Sequence, residues 1–378
     1  MKINRIGAVI VVVVALLSCR SETPKEAWQT MDYPVLLSLQ GGSIFRADQT
    51  GTTVTRSLDN ERAIENLTVL VFTNREANNE PAALEKVLSE EQIVLPLSGD
   101  LYNGKISFDL GLPGTYHLEV IANGYKKDDA AEKAKFLAKF PLGMTYGQFT
   151  KVVLDRPLPE YGDAGFTMLT TDPVKVVTHK DSPVDVGKIA LRRFACRFDL
   201  FNKLEGDLEL TEVVLKNQIN KSFMLPQTHT PSTSDSGEKR YKANGSWFSS
   251  TMLSGGIYSY ENPTQGATTL QVYGKYKNVP WQKNIVFRDS IGNTVKTERN
   301  CLYRIYLTKG RSTTPGGNNP ENADRICAKI EVLDWSSGIV FAYTDQDVKE
   351  AEQTSETNPE KKEYKPILIK PVNLACRQ

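Results

Sequence analysis

The residues of this chain that could do chemistry are few and scattered. Its three histidines, His117, His179 and His229, are far apart with no ligand-like spacing, so neither a metal site nor a catalytic triad can be read from them. Carboxylates pair at Glu90-Glu91 and Asp128-Asp129, but in polar stretches that read as solvated surface rather than as a general acid and base. There is no GxSxG, no P-loop and no GxGxxG that follows a strand and opens a helix; Gly316-Gly317 lies in a loop ahead of a strand, the wrong setting for a phosphate. Catalysis, a bound metal and a cofactor are therefore not expected. The residue whose surroundings point to covalent chemistry is Cys19, which closes Ala15-Leu16-Leu17-Ser18-Cys19 and whose thiol would accept an acyl chain.

The element that must position Cys19 is the apolar run from Ile6 to Leu17, preceded by Lys2 and Arg5. It is shorter than the ~20 apolar residues of a membrane-spanning helix and follows a basic segment, as in a signal peptide. Its end resembles a bacterial lipobox, so residues 1–19 are expected to be a lipoprotein signal and residues 20–32 a polar tether. The other cysteines, Cys196, Cys301, Cys327 and Cys376, form an even set in a chain bound for an oxidising compartment. The first three lie in or beside strand-like runs where a thiol serves as a small hydrophobe, and no CxxC occurs, so the sequence leaves pairing open. Lysine and arginine total 46 against 45 acidic residues, which gives no field for nucleic acid or an anionic membrane.

Strand-like blocks recur between turn residues, at Pro34–Leu39, Leu67–Phe72, Lys105–Leu110, Tyr116–Ala122, Lys175–Val177, Lys188–Asp199, Glu212–Leu215, Thr269–Tyr276, Asn284–Phe287, Leu302–Thr308 and Ala328–Leu333. Helical periodicity is expected at Pro81–Leu88 and around Ala130–Phe140, where good helix formers dominate and Val87 is the one β-branched residue. The fold class is mainly β: two tandem β-sandwich domains with short helical insertions. Turn residues in His179–Gly187 place the boundary between domains 33–185 and 186–344. Residues 345–378 read as a charged linker ahead of an isolated apolar block, Pro366–Leu374.

From Glu65-Asn-Leu-Thr-Val-Leu-Val-Phe onward the chain resembles the fimbrillins, the pilin family of type V fimbriae. Further matches follow in the family's order: Met168-Leu-Thr-Thr-Asp-Pro-Val-Lys-Val, Arg192-Arg-Phe-Ala-Cys-Arg-Phe, Leu270-Gln-Val-Tyr-Gly-Lys-Tyr, Glu298-Arg-Asn-Cys-Leu-Tyr-Arg-Ile-Tyr-Leu, Gly316-Gly-Asn-Asn-Pro-Glu-Asn and Ile330-Glu-Val-Leu-Asp-Trp335. Together they cover most of Cys19–Trp335. The resemblance implies two transthyretin-like sandwiches and a structural subunit, shaft or tip, that supports cell adhesion. It also implies a lipid-anchored precursor at the cell outer membrane, then a place in a cell-surface fimbrium. Maturation would be by an arginine-specific protease, and polymerisation by strand exchange with other fimbrial subunits.

Carried onto this chain, that scheme makes Cys19 the lipidation site and Arg56 the cleavage site, with Arg62 and Arg46 as runners-up. Residues 33–56 would be removed, taking with them an edge strand that points Val35, Leu37 and Leu39 to one side. Ile339 and Phe341, or Ile367 and Ile369, would belong to the donor strand; alternatively, Gly338–Tyr343 completes the subunit's own sheet. Two other readings stand beside the pilin. One is an anchor lipoprotein that keeps its lipid and first strand. The other is a surface lipoprotein that binds glycans through Trp247, Tyr258, Tyr260 and Trp281.

Overall fold

A computed structural model describes residues 31–41, 59–75, 80–94, 105–163, 165–204, 206–232, 236–243, 247–288, 293–309, 326–335 and 340–345. The expected signal peptide, Cys19, Arg46, Arg56, Gly316-Gly317, Ile339, Ile367, Ile369 and Cys376 lie outside them. The first half holds strands β1 (Pro34–Gly41), β2 (Leu67–Arg75), β3 (Glu80–Leu88), β4 (Lys105–Asp109), β5 (Gly114–Ala122), β6 (Val153–Leu154), β7 (Met168–Thr170), β8 (Val174–Thr178) and β9 (Val184–Arg193). Helices α1 (Asp59–Arg62), α2 (Ala130–Leu137) and α3 (Tyr146–Phe149) are interspersed. The second half holds β10 (Ala195–Asn202), β11 (Leu208–Ile219), β12 (Ser222–Phe223), β13 (Ser236–Lys242), β14 (Met252–Tyr260), β15 (Thr269–Tyr276), β16 (Val279–Val286), β17 (Cys301–Lys309), β18 (Ile326–Asp334) and β19 (Val340–Asp345).

Two curled sheets result, and they fit two β-sandwich-like domains. The first runs β3-β2-β5-β7-β9-β1-β4, with β8 also on β5; the second runs β16-β15-β11-β14-β10-β17-β18-β19, with β13 also on β11. Alternation decides which side chains fill each core. Val69 and Val71 of β2 join Leu118 and Val120 of β5 inside the first sheet, while Cys196, Phe198 and Leu200 of β10 join Tyr303 and Ile305 of β17 inside the second. A third cluster lies between the halves, where Phe72, Phe136, Phe149 and Phe194 meet Ile219, Met224 and Tyr260. The expected helix at Ala130–Phe140 is α2: Asp129 caps it by accepting from the Glu132 backbone N–H at 2.9 Å, and Phe136 and Phe140 turn into that joint.

Two expectations about elements are corrected. Pro81–Leu88 is not a helix but most of β3, paired antiparallel with β2. Leu84 and Leu88 are four apart, a spacing that favours one face of a helix, but it equally suits a strand. In β3 the register then shifts at Glu85, so Leu88 faces the first core and Leu84, opposite Phe72, faces the joint. The single run Lys188–Asp199 is in fact two strands. Phe194 separates β9 from β10, donating its N–H to Thr167, and there the chain passes from the first sheet to the second. The expected division at 185/186 therefore falls inside β9.

Cys196, Cys301 and Cys327 are buried and none is in a disulfide. The histidines are in separate surroundings: His117 Nε2 lies 2.8 Å from Asn74 Oδ1, His179 forms a backbone bridge to Ser182, and His229 meets the Phe223 ring edge-on. Among the described residues no helix is long and apolar enough to cross a membrane.

Candidate functional site

Strand β1 was expected at an edge, and the structure places it inside the first sheet. It pairs parallel with β9 from Val35 to Gly41 and antiparallel with β4 from Pro34 to Ser38. Val35, Leu37 and Leu39 are buried in the first core, and Leu36, on the other face, is nearly so. Gly187, at φ +77°, opens the bulge in β9 that sets this register, a conformation that suits glycine. Taking β1 away would bare backbone N–H and C=O groups on both β9 and β4, and an apolar trough beneath them. The result is a slot lined on both sides, a tighter template for a returning strand than one sheet edge.

The opposite end of the connecting segment is fixed just as firmly. Glu61, in the single turn α1, is fully buried although it follows a polar stretch. Its carboxylate accepts both contacts of Arg197 Nη1, at 3.0 and 2.9 Å, and the Trp335 Nε1–H at 3.3 Å. The Tyr258 hydroxyl, with one proton to give, lies 2.8 Å from Glu61 Oε1 and 2.5 Å from the Gly255 carbonyl. Arg197 also forks onto Asp199 at 2.8 Å from Nε and from Nη2, and Asp199 accepts the Gly255 N–H. Arg193 donates from Nε to the Glu61 carbonyl and covers the Trp335 ring at 4.9 Å. Two carboxylates flank the Arg197 guanidinium and are met by further donors, and that pairing and hydrogen bonding is what lets such charges be buried. Burial opposes the Arg197 charge, but Asp199 and Glu61 outweigh it and push its pKa upward. Burial first and then Glu61 push the Tyr258 phenol well above its ordinary range. The cluster's chemistry is structural: it ties the start of the first half to β10, β14 and the end of β18.

Of the residues singled out from sequence, Val35, Leu37 and Leu39 share one core and Arg62 belongs to α1 beside Glu61. Val340–Asp345 pairs with β18 of the same chain, the arrangement set beside donation above. The aromatics divide. Trp247 and Tyr258 line one cleft, whereas Tyr260 is buried in the joint and Trp281 packs against the second core. Glu61, Arg193, Arg197 and Asp199 were not singled out as site residues. A signal existed, since Arg197 and Asp199 alternate with Cys196, Phe198 and Leu200 in an otherwise apolar strand.

No protein-family model and no curated protein matches this chain. Among solved structures, that of a candidate cell adhesion protein from Parabacteroides distasonis gives a TM-score of 0.50 at 16% identity, covering 82% of this chain and 98% of that one. The tip fimbrial protein Mfa3 from Porphyromonas gingivalis gives 0.48 at 14%, covering 80% and 100%. A candidate cell adhesion protein from Bacteroides eggerthii gives 0.45 at 16%, covering 81% and 96%. At these identities the likeness is one of fold.

Proposed function

We propose that this chain is a fimbrial subunit of the fimbrillin type, a shaft or tip pilin exported as a lipoprotein through Cys19. In this reading a cut after Arg56 by an arginine-specific protease frees the strand ahead of it, and a strand from a neighbouring subunit takes its place. The observation that carries the proposal is β1 itself: a short apolar strand paired on both sides, joined to the rest of the fold through a segment that contains Arg46 and Arg56. The motif order from Glu65 to Trp335 and the fold shared with the Parabacteroides adhesion protein support it.

The surroundings of Glu61 bear on which arginine is cut. A protease needs several residues either side of the bond in extended form. Around Arg62 that would mean pulling Glu61 from its buried partners and breaking the 2.6 Å bond from Asn60 Nδ2 to the Asp163 carbonyl. Cleavage after Arg56 leaves both in place, so Asn60 keeps its bond to Asp163 and Glu61 its tie to the second half. Losing β1 removes four buried side chains, Val35, Leu36, Leu37 and Leu39, together on the order of 8 kcal/mol of apolar burial, and bares the trough they filled. That deficit is what a donor strand would restore. With Val340–Asp345 engaged on β18, the donor in this reading is the block that contains Ile367 and Ile369, whose four residues between Pro366 and Pro371 are as many as β1 pairs on both sides, from Val35 to Ser38.

N-terminal sequencing of protein from sheared filaments and from the membrane fraction tests the proposal. A start at Ser57 in filaments is expected, and Arg56→Ala should leave an unpolymerised precursor. An acylated Cys19 in both fractions would instead identify an anchor lipoprotein.

A further inference from the structure

A cleft of about 350 Å³ opens where the two halves meet. One wall is the loop that carries Glu160 and Tyr161; the other is β13 and β14 with Gln218 of β11. Trp247 lies so close over Gly256 that a Cβ there would come within 2.1 Å of its ring, so only glycine lets the indole rest on β14. Tyr161 stacks on Trp247, centroids 5.5 Å apart at 20°, and Tyr241 meets the same indole edge-on at 6.0 Å. Tyr161 is 40% exposed, one of few large apolar side chains left open among the described residues. Lys239 stands at the mouth, 5.6 Å above the Tyr241 ring and 3.5 Å from Glu160, with Lys242 exposed farther along the strand. Tyr258 closes the floor and is held there by Glu61.

We propose that this cleft binds a saccharide that carries a carboxylate. A pyranose presents one face of C–H groups with a slight positive charge, which suits the negative face of an open aromatic ring such as Tyr161, while its rim of hydroxyls needs donors and acceptors such as Gln218. The volume falls in the range of small-ligand sites and accommodates one or two sugar rings. Charge then selects among saccharides. The lining holds Lys239, Arg240 and Lys242 against Glu160. Arg240 is already engaged by Glu212 at 2.8 Å, which leaves Lys239 and Lys242 as the other cations of the lining. The Lys239–Glu160 pair is solvent-exposed at both ends and so contributes little, and a ligand carboxylate can take Glu160's place on Lys239 at small cost. A wholly apolar ligand would strand these charges, and a neutral sugar would leave the lysines unused. The site draws on both halves but not on β1, Arg56 or a neighbouring subunit, so it is present whether or not the chain assembles by strand exchange.

The test is titration of the full chain, in monomeric form, with N-acetylneuraminic acid, glucuronic acid and galactose, followed by calorimetry and tryptophan fluorescence. At least one of the two acids should bind saturably, with galactose at least about tenfold weaker. Tyr161→Ala should weaken the acid about tenfold, and Lys239→Glu should abolish its binding. Both positions are solvent-facing, and circular dichroism of each variant should match the parent, so loss of binding reports the site rather than the fold. Absence of saturable binding by both acids overturns the proposal. So does galactose binding as tightly as the acids, or binding unchanged in either variant. These outcomes leave the N-terminus found in filaments untouched, so the two readings fail separately.

Discussion

Glu61 is a single charged side chain on which three others, Arg197, Tyr258 and Trp335, converge from the far half of the molecule. Removing one partner of a buried, hydrogen-bonded charge pair leaves the other uncompensated, which costs about 3–5 kcal/mol, whereas an exposed glutamate would cost within about 0.5 kcal/mol. Glu61→Ala should therefore lower the urea midpoint sharply, with the slope unchanged. Glu119 makes the opposite case. It is buried on β5, where the Tyr146 hydroxyl donates to it at 2.6 Å and Thr170 donates as well. Burial raises its pKa from the ordinary 4.5 to about 7, against the pull of those two donors. The folded state thus holds this proton more tightly than the unfolded chain. Its contribution is fully present below about pH 4.5, falls as pH rises to about 7, and is flat above that, a loss of about 3 kcal/mol. Glu119→Gln should match the parent near pH 4 and exceed it by about that amount at pH 8, as read by denaturant melts at both pH values.

Strand β3 shows what local propensity can and cannot decide. Glu80–Leu88 is rich in helix formers, but the open edge of β2 offers it an antiparallel ladder, broken by two register shifts, and two apolar faces to share. Those gains exceed the few tenths of a kcal/mol per residue by which such side chains favour a helix. Ala82→Thr should accordingly be neutral or stabilise by up to about 1 kcal/mol, where a helix would lose stability; thermal melts distinguish the two. In β1 the outcome rests on packing. Leu37 is wholly buried in a strand paired on both sides, so Leu37→Ala should cost about 2–5 kcal/mol in the unprocessed chain, measured by chemical denaturation. The alternation of Val35, Leu37 and Leu39 is legible in sequence because a strand's period is local. That β1 lies between β9 and β4 is not, since both partners come from distant parts of the chain and hydrogen bonding carries no residue code.

At the scale of the whole molecule the two sheets are joined rather than strung together. Strand β6 of the first half pairs with β12 of the second, and Arg299 secures β12 by donating to the Phe223 and Met224 carbonyls while covering the Phe194 ring at 4.6 Å. With a shared apolar cluster around Phe194, the two halves should unfold in one calorimetric transition. Phe194→Ala, which empties the centre of that cluster, should cost about 3–5 kcal/mol and split the transition in two. The sequence by itself determined the mainly β class with two sandwich-like domains, most strand positions and the apolar stripe of β1, because each depends on a period of two and on turn residues that act within a few positions. Only the tertiary structure decided that the chain changes sheet at Phe194, that β1 is interior, and that Glu61, Arg193, Arg197, Tyr258 and Trp335 form one cluster. Those facts depend on which distant surfaces meet. A buried ion cluster is specified by the matching of charges across space: the alternation of Arg197 and Asp199 in an apolar strand hints that they are buried, but nothing along the chain says that Glu61 is their partner.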